Sequence, residues 1–355
     1  MGLKNDISEQ LQNRVRLAIE KGEALRIIAG GSKGFYGRDV SGSELSVTQH
    51  QGIISYQPSE LVITARAGTP IKVIENALSE NAQMLAFEPP AFGERATIGG
   101  TVACNFSGPR RAYSGAARDY VLGTKIINGK AEILTFGGEV MKNVAGYDVS
   151  RLMAGAMGTL GVLLEISLKI VPKPEAETTV MLNLGSEEAL LKLQQWASQP
   201  LPVSGSCFYQ NTLYVRLSGA EKAVREMRQF IGGELLKNAD YFWHSVKEQR
   251  HDFFKNDQAL WRISLASNTP ILSLDGNTLY EWGGALRWLK TDLPAQPLRK
   301  FSESINGHAT LFRTSGKRDE IFQPLPKHLL QLHRKLKQAF DPHGIFNIGR
   351  MYQEY

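Results

Sequence analysis

Three glycine-rich segments, 30–37, 97–123 and 146–161, crowd the first half of this 355-residue chain, and each lies beside a run that reads as a strand. Glycine at such density signals tight turns with φ > 0 and backbone that must stay clear of side chains. A diphosphate is well held by such backbone, because several N–H groups can converge on its charge. Each hydrogen bond to a charged group contributes roughly 1.5–3 kcal/mol, so a few amides suffice without a basic residue. The leading candidate is Ala29-Gly30-Gly31-Ser32-Lys33-Gly34, after the apolar run at 25–29. An ordinary tight turn after a strand is the alternative reading of that loop alone.

Other chemistries fit less well. Residues 30–34 formally match the G-x-S-x-G pattern, yet a nucleophile elbow leads straight into a helix, and here Gly37 and Gly42 follow with no helical period. No G-x-G-x-x-G or Walker pattern occurs, so neither a nicotinamide Rossmann site nor a P-loop is signalled. No tight His/Cys cluster suggests a metal site.

The length fits about two domains of roughly 150 residues. Helical period marks 8–22 through Leu11, Val15, Ala18 and Ile19, and a helix from Pro70 through Ile71, Ile74 and Leu78. Strands are expected at 25–29, 61–67 and 162–171, the last closed by Pro172 and Pro174. The Pro-Lys-Pro-Glu stretch at 172–175 sets the boundary. Beyond it, strands at 179–184, 206–210, 213–217, 260–266, 278–283 and 309–313 alternate with helices at 186–198 and 220–231. That order suggests an α+β layer with an antiparallel sheet. A last amphipathic helix, 326–340, uses Leu329, Leu332, Leu336 and Phe340 and stops at Asp341-Pro342. The expected domains are therefore 1–173, 174–325 and a C-terminal segment 326–355 that returns to the first.

The formal net charge of +6 is spread along the chain, which fits a slightly basic surface or a weak pull on anionic substrates or an anionic membrane face, and not nucleic acid. Cys104 and Cys207, far apart in sequence, make no disulfide framework and fit a reducing compartment. Residues 1–16 are charged and amphipathic, with no apolar signal core, and no apolar run is long enough to span a bilayer. A cytoplasmic protein, at most peripheral to the membrane through partners, is expected.

In order and spacing the glycine motifs resemble the FAD-binding domain of the vanillyl-alcohol oxidase / p-cresol methylhydroxylase family. Residues 27–33 are similar to its first pyrophosphate loop, and Ala67-Gly68-Thr69 to its strand-to-helix turn. Thr97-Ile98-Gly99-Gly100-Thr101, with Asn105, Ser107 and Gly108, is similar to the segment that wraps the pyrophosphate and flavin edge. Lys142, Gly146 and Tyr147, then Gly158, Gly161 and Val162, continue the pattern. Phe340-Asp341-Pro342 and Phe346-Asn347-Ile348-Gly349-Arg350 match the C-terminal run, with Ile348 where proline is usual. The resemblance is strong over 25–172, good over 335–351 and weaker between. It implies a two-subdomain PCMH-type FAD domain with an α+β antiparallel-sheet cap, and FAD bound by Ala29, Gly30, Gly31, Ser32, Lys33 and Gly34 together with the residues above.

Many members of the family attach the flavin to a first-loop histidine. This loop carries Ser32 and Lys33, and the nearest histidine is His50, so a non-covalent FAD is expected. Lys33 is either a solvated loop charge or a cation near the phosphates.

Within the family the chain is similar to flavin subunits of bacterial glycolate oxidase. That implies a role in oxidising glycolate, a small 2-hydroxy acid, beside a paralogous catalytic flavin subunit and an iron–sulfur subunit. The family's catalytic members carry an H-x-G-D-G-N…H metal motif. Gly307-His308-Ala309-Thr310-Leu311-Phe312-Arg313 stands in a comparable place without its acid and second histidine, so no metal is expected. A 2-hydroxy acid needs a cation for its carboxylate and a base for its hydroxyl proton. The candidates are Arg262, Arg287, His308 and Arg313, while Trp282 and Trp288 read as core or interface. Electron relay beside a catalytic paralogue, self-sufficient oxidation of a D-lactate-type substrate, and a non-catalytic scaffold all remain open.

Overall fold

A computed structural model describes residues 5–138, 148–318, 320–353 and 355. The chain divides into two compact units. One comprises 1–106, 116–172 and 324–355, and the other 107–115 and 173–323.

In the first unit, the helix Ser8–Lys21 buries Leu11, Val15 and Ala18 on one face. They meet Leu25, Val47, Val162, Leu164 and Phe346 in one core. Leu25–Ile28 pairs in parallel with Ser43–Ser46. A five-stranded antiparallel sheet runs Ile53–Gln57, Val62–Arg66, Val162–Lys169, Val121–Ile127, Ile133–Gly137. On it a second core gathers Ile63, Ile166 and Leu168 with Ile71, Ile74 and Leu78 of the helix Ile71–Ser79. Fully burying each such side chain contributes about 1.5–3 kcal/mol.

The segment read from glycine content as loop holds a helix, Ile98–Cys104. Thr97 starts it, its hydroxyl accepting from the Gly100 amide at 3.2 Å. Gly99 lets the helix lie against the neighbouring strand, since a Cβ there would stand 2.7 Å from both Ala67 Cβ and its carbonyl oxygen.

The C-terminal helix Lys327–Phe340 departs from expectation. Leu329 and Leu332 are exposed, and Lys337 is its buried side chain. Beyond it the chain enters the core, with Leu25 N donating to Ile345 O and Asn347 N to Leu25 O.

The second unit is built on an eight-stranded antiparallel sheet among the described residues. Its order is Glu234–Leu235, Ala176–Asn183, Thr212–Gly219, Val203–Tyr209, Asn277–Glu281, Leu286–Lys290, Leu260–Ser264, His308–Arg313. Gln210 and Asn211, both at positive φ, close the Val203–Tyr209 hairpin as a two-residue turn. The helices Ala239–Lys247 and Ala295–Ser304 were not expected. Residues 107–115 pack here through Arg110 to Glu177 and Tyr113 Oη to Ser206 Oγ. Among the described residues no helix is long and apolar enough to cross a membrane.

Candidate functional site

The first glycine loop leaves the end of Leu25–Ile28. Its two central glycines exist for different reasons. A Cβ on Gly30 would lie 1.4 Å from the Arg95 carbonyl oxygen, so backbone approach alone excludes any side chain. Gly31 has φ +73° and nothing within 4 Å of where a Cβ would stand. The amides of Gly30, Gly31 and Ser32 donate to no acceptor among the described residues, whereas Gly34 N closes back on Gly31 O at 3.0 Å. Successive uncommitted N–H groups beside open space form an anion-binding concavity.

Lys33 is buried, with Nζ 3.3 Å from Ala91 O and 5.9 Å from the Phe92 ring centroid. It is therefore not a solvated loop charge.

The C-terminal segment braces this loop. Arg350 donates to the carbonyls of Arg38 at 2.9 Å, Gly34 at 3.4 Å, and Tyr36. Asn347 spends both ends of its amide inside the protein. Its Oδ1 accepts from Ile27 N at 2.8 Å and its Nδ2 donates to Met157 O at 2.7 Å. It thus ties the strand before the first loop to the third glycine segment. Lys337 Nζ donates to Thr159 O, Phe346 O and Asp341 Oδ2, all within 2.8 Å. Burial pulls the Lys337 pKa down, and Asp341 beside it opposes that shift.

Several other residues expected at the cofactor meet protein atoms closely. A Cβ at Gly68, Gly158 or Gly161 would approach Val47 O, Asn347 Nδ2 or Ile127 O at 2.2, 2.6 and 2.8 Å. Ile98 and Val162 have core side chains. Gly100 is more open, a Cβ there standing 3.3 Å from Thr97 Oγ1 and 3.9 Å from Ala29 Cβ. Thr101 Oγ1 is buried without a hydrogen-bond partner among the described residues. Asn105 Oδ1 accepts from Arg118 N at 3.0 Å. Ser107 and Gly108 belong to the second unit, where Gly108 O accepts from Trp282 Nε1 at 3.0 Å. Lys142, Gly146 and Tyr147 lie outside the described residues. His50 is fully buried, and its Nδ1 accepts from Ile7 N.

The four polar candidates of the second unit separate. Arg287 is a strut. It is 1% exposed and donates to Gly284 O, Pro270 O and Thr269 O. Arg313 pairs with Leu260 at one end of its strand, while His308 pairs with Ser264 at the other. Arg262 lies near His308, and burial and then Arg262 lower the His308 pKa. Trp282 joins them, its ring centroid 5.1 Å from Arg262 Cζ and 4.4 Å from Arg111 Cζ. The sequence reading missed Arg111, whose only signal was the Arg110-Arg111 pair after the second glycine motif. Trp282, read with Trp288 as core or interface, is buried as deeply as Trp288. Trp288 is bonded to Glu281 Oε2 and edge-on to Phe312.

Fold and loop together define a flavin-binding class: residues 6–137 match the FAD binding domain family. Two structures of an alkyldihydroxyacetonephosphate synthase share the architecture. Their TM-scores are 0.65 and 0.67 over 96% of this chain and 74% and 75% of theirs, at 14% identity, a likeness of fold alone. Among curated proteins, the chain is 48% identical to glycolate oxidase subunit GlcE of Escherichia coli K12 over 349 residues, 98% of each. It belongs to this GlcE family. It is also similar to a D-2-hydroxyglutarate dehydrogenase of Xanthomonas citri pv. viticola, at 30% identity over 52% of this chain and 39% of that one. Glycolate oxidase subunit GlcD of Bacillus subtilis is 34% identical over 36% of this chain and 27% of its own length.

Proposed function

We propose that this chain is the FAD-carrying subunit of a glycolate oxidase, taking part in the oxidation of glycolate to glyoxylate. The observation that carries the cofactor assignment is the set of uncommitted amides at Gly30, Gly31 and Ser32 beside the open space at Gly31. A pyrophosphate needs such donors, and among the described residues no acceptor competes for them. Lys33 puts a positive charge under the same loop, and Arg350 and Asn347 hold the loop's shape. When bound, FAD supplies a hydride acceptor.

The FAD is held non-covalently in this reading, since residues 29–34 contain no histidine and His50 is buried on Ile7 N. The flavin domain is 1–173 with 326–355, and the cap is 174–325, to which 107–115 pack. The chain's partners are a paralogous flavin subunit and an iron–sulfur subunit. With two cysteines, Cys104 and Cys207, it does not hold a cluster itself. It works in the cytoplasm, meeting a membrane only through those partners.

The purified chain is expected to be yellow and to release FAD into the supernatant on acid precipitation. In the assembled complex, glycolate should bleach the flavin. A correctly folded chain that takes up no FAD overturns the assignment.

A further inference from the structure

The stretch between the first two glycine motifs, 91–95, was given no role by the sequence, yet it holds a strained aromatic residue. Phe92 has φ 52°, and Gly93 follows at 130°. A bulky side chain in the left-handed region is an outlier, kept only where surrounding contacts over-determine it, and such outliers gather at ligand clamps. Most of those contacts come from the first glycine segment. The Phe92 ring meets Phe35 edge-on at 5.4 Å between centroids, and Phe106 at 5.9 Å. Lys33 Nζ lies 5.9 Å from the same ring and donates to Ala91 O at 3.3 Å. Arg95 closes the other end. Its Cβ is 3.3 Å from where a Cβ on Gly30 would stand, and its carbonyl oxygen is closer still.

Residues 91–95 therefore lie along the loop that carries the uncommitted amides. The chain turns through Ala96 N donating to Gly93 O at 3.3 Å, while the amides of Gly93, Glu94 and Arg95 donate to no acceptor among the described residues. A Cβ on Gly93 would meet nothing within 4 Å. Arg95 is exposed, and among the described residues its side chain has no hydrogen-bond or ion-pair partner. Glu94 beside it is exposed and equally unpaired. The backbone and the Phe92 ring thus hold this turn, and the Arg95 guanidinium, rooted at Gly30, has no structural task. A guanidinium keeps its charge at all working pH values, and its N–H fork matches phosphate oxygens.

We infer that Arg95 supplies a cation to the FAD diphosphate from a second wall of the cradle. This rests on the reading above that the Gly30, Gly31 and Ser32 amides face that diphosphate. The rival account is that Arg95 is a solvated charge on a turn whose sole task is to pack against Gly30.

The experiment titrates FAD into the full-length apoprotein and follows quenching of flavin fluorescence, at low salt and at about 1 M salt, where screening falls to about 3 Å. Arg95→Gln is expected to weaken FAD roughly three- to tenfold at low salt, with the apoprotein Tm unchanged. High salt should erase most of that difference. Arg95→Lys should keep most of the affinity, because the charge remains. Glu94→Gln removes the opposite charge from the same turn and should bind FAD at least as tightly as wild type. Wild-type affinity in Arg95→Gln at low salt overturns the inference, as does an equal loss in Glu94→Gln or a loss that high salt leaves intact. If Gly31→Val weakens FAD and Arg95→Gln does not, the second wall alone falls. Wild-type affinity in both removes the cradle as well.

Discussion

Replacing Gly31 by valine separates the cofactor cradle from the fold. At φ +73° any L-residue is strained, at a cost of about 1–2 kcal/mol. At roughly 2–4 °C per kcal/mol for a unit of this size, Tm should fall by about 2–8 °C. Among the described residues no atom beyond Gly31 and its chain neighbours lies within 4 Å of the new Cβ, so no clash at Cβ adds to that. In the proposed cradle the branched side chain takes space that the pyrophosphate needs beside the Gly30, Gly31 and Ser32 amides. Losing two charged hydrogen bonds at roughly 1.5–3 kcal/mol each weakens FAD by about 10²- to 10⁴-fold. FAD titration of apoprotein, followed by quenching of flavin fluorescence, reads the affinity, and thermal melts of the apoprotein read the strain. Gly31→Ala carries similar strain with less bulk and should retain more FAD. Gly30→Ala, with its Cβ 1.4 Å from Arg95 O, should fail to fold. Gly31→Val purified with full FAD at wild-type affinity would refute the placement of the cradle.

Other tests address the supporting framework. Asp341→Asn leaves the Lys337 ammonium buried without its counter-charge, and chemical denaturation should show a loss of about 3–5 kcal/mol. A loss under 1 kcal/mol would mean Lys337 finds water. Asn347→Ala removes two bonds that join the first and third glycine segments, so both stability and FAD affinity should drop, by about 1–3 kcal/mol in stability. An unchanged FAD affinity would show that this brace does not shape the cradle. His50 has its pKa lowered chiefly by burial, against the pull of Asp6, with Arg66 lowering it further. The unfolded chain therefore binds more protons as pH falls through about 6.5, so stability present above that pH is lost on acidification. His50→Asn, which keeps an acceptor for Ile7 N, should flatten the Tm difference between pH 7.5 and 5.5. Asp6 does not obscure this window, since its carboxylate is held well below the ordinary range by hydrogen bonds from Ser8 and by Arg66. An equal Tm difference in wild type and variant would exclude His50 as the source.

Local pattern alone determined much of this protein. The spacing of Leu11, Val15 and Ala18 defines a helix with one buried face, and that of Ile71, Ile74 and Leu78 another, because side chains three and four apart share a face wherever the helix packs. The glycine motifs likewise marked where backbone must run bare. Only the tertiary structure decided which bare backbone faces open space. Gly30 and Gly31 are adjacent and chemically identical, and the carbonyl that distinguishes them comes from Arg95. Arg262 and Arg287 alternate alike along strands, yet loop carbonyls at 269 and 270 occupy one while Trp282 carries the other. Arg111 reaches that same tryptophan from the far side of the boundary read at 172–175. Lys337 reads as a surface residue until Thr159, Asp341 and Phe346 close around it. Periodicity reports what one element requires of its own face. The carbonyl that caps a buried charge, as Thr159 O does for Lys337, or the atom that bars a side chain, comes from distant sequence, and only the closed chain brings it near.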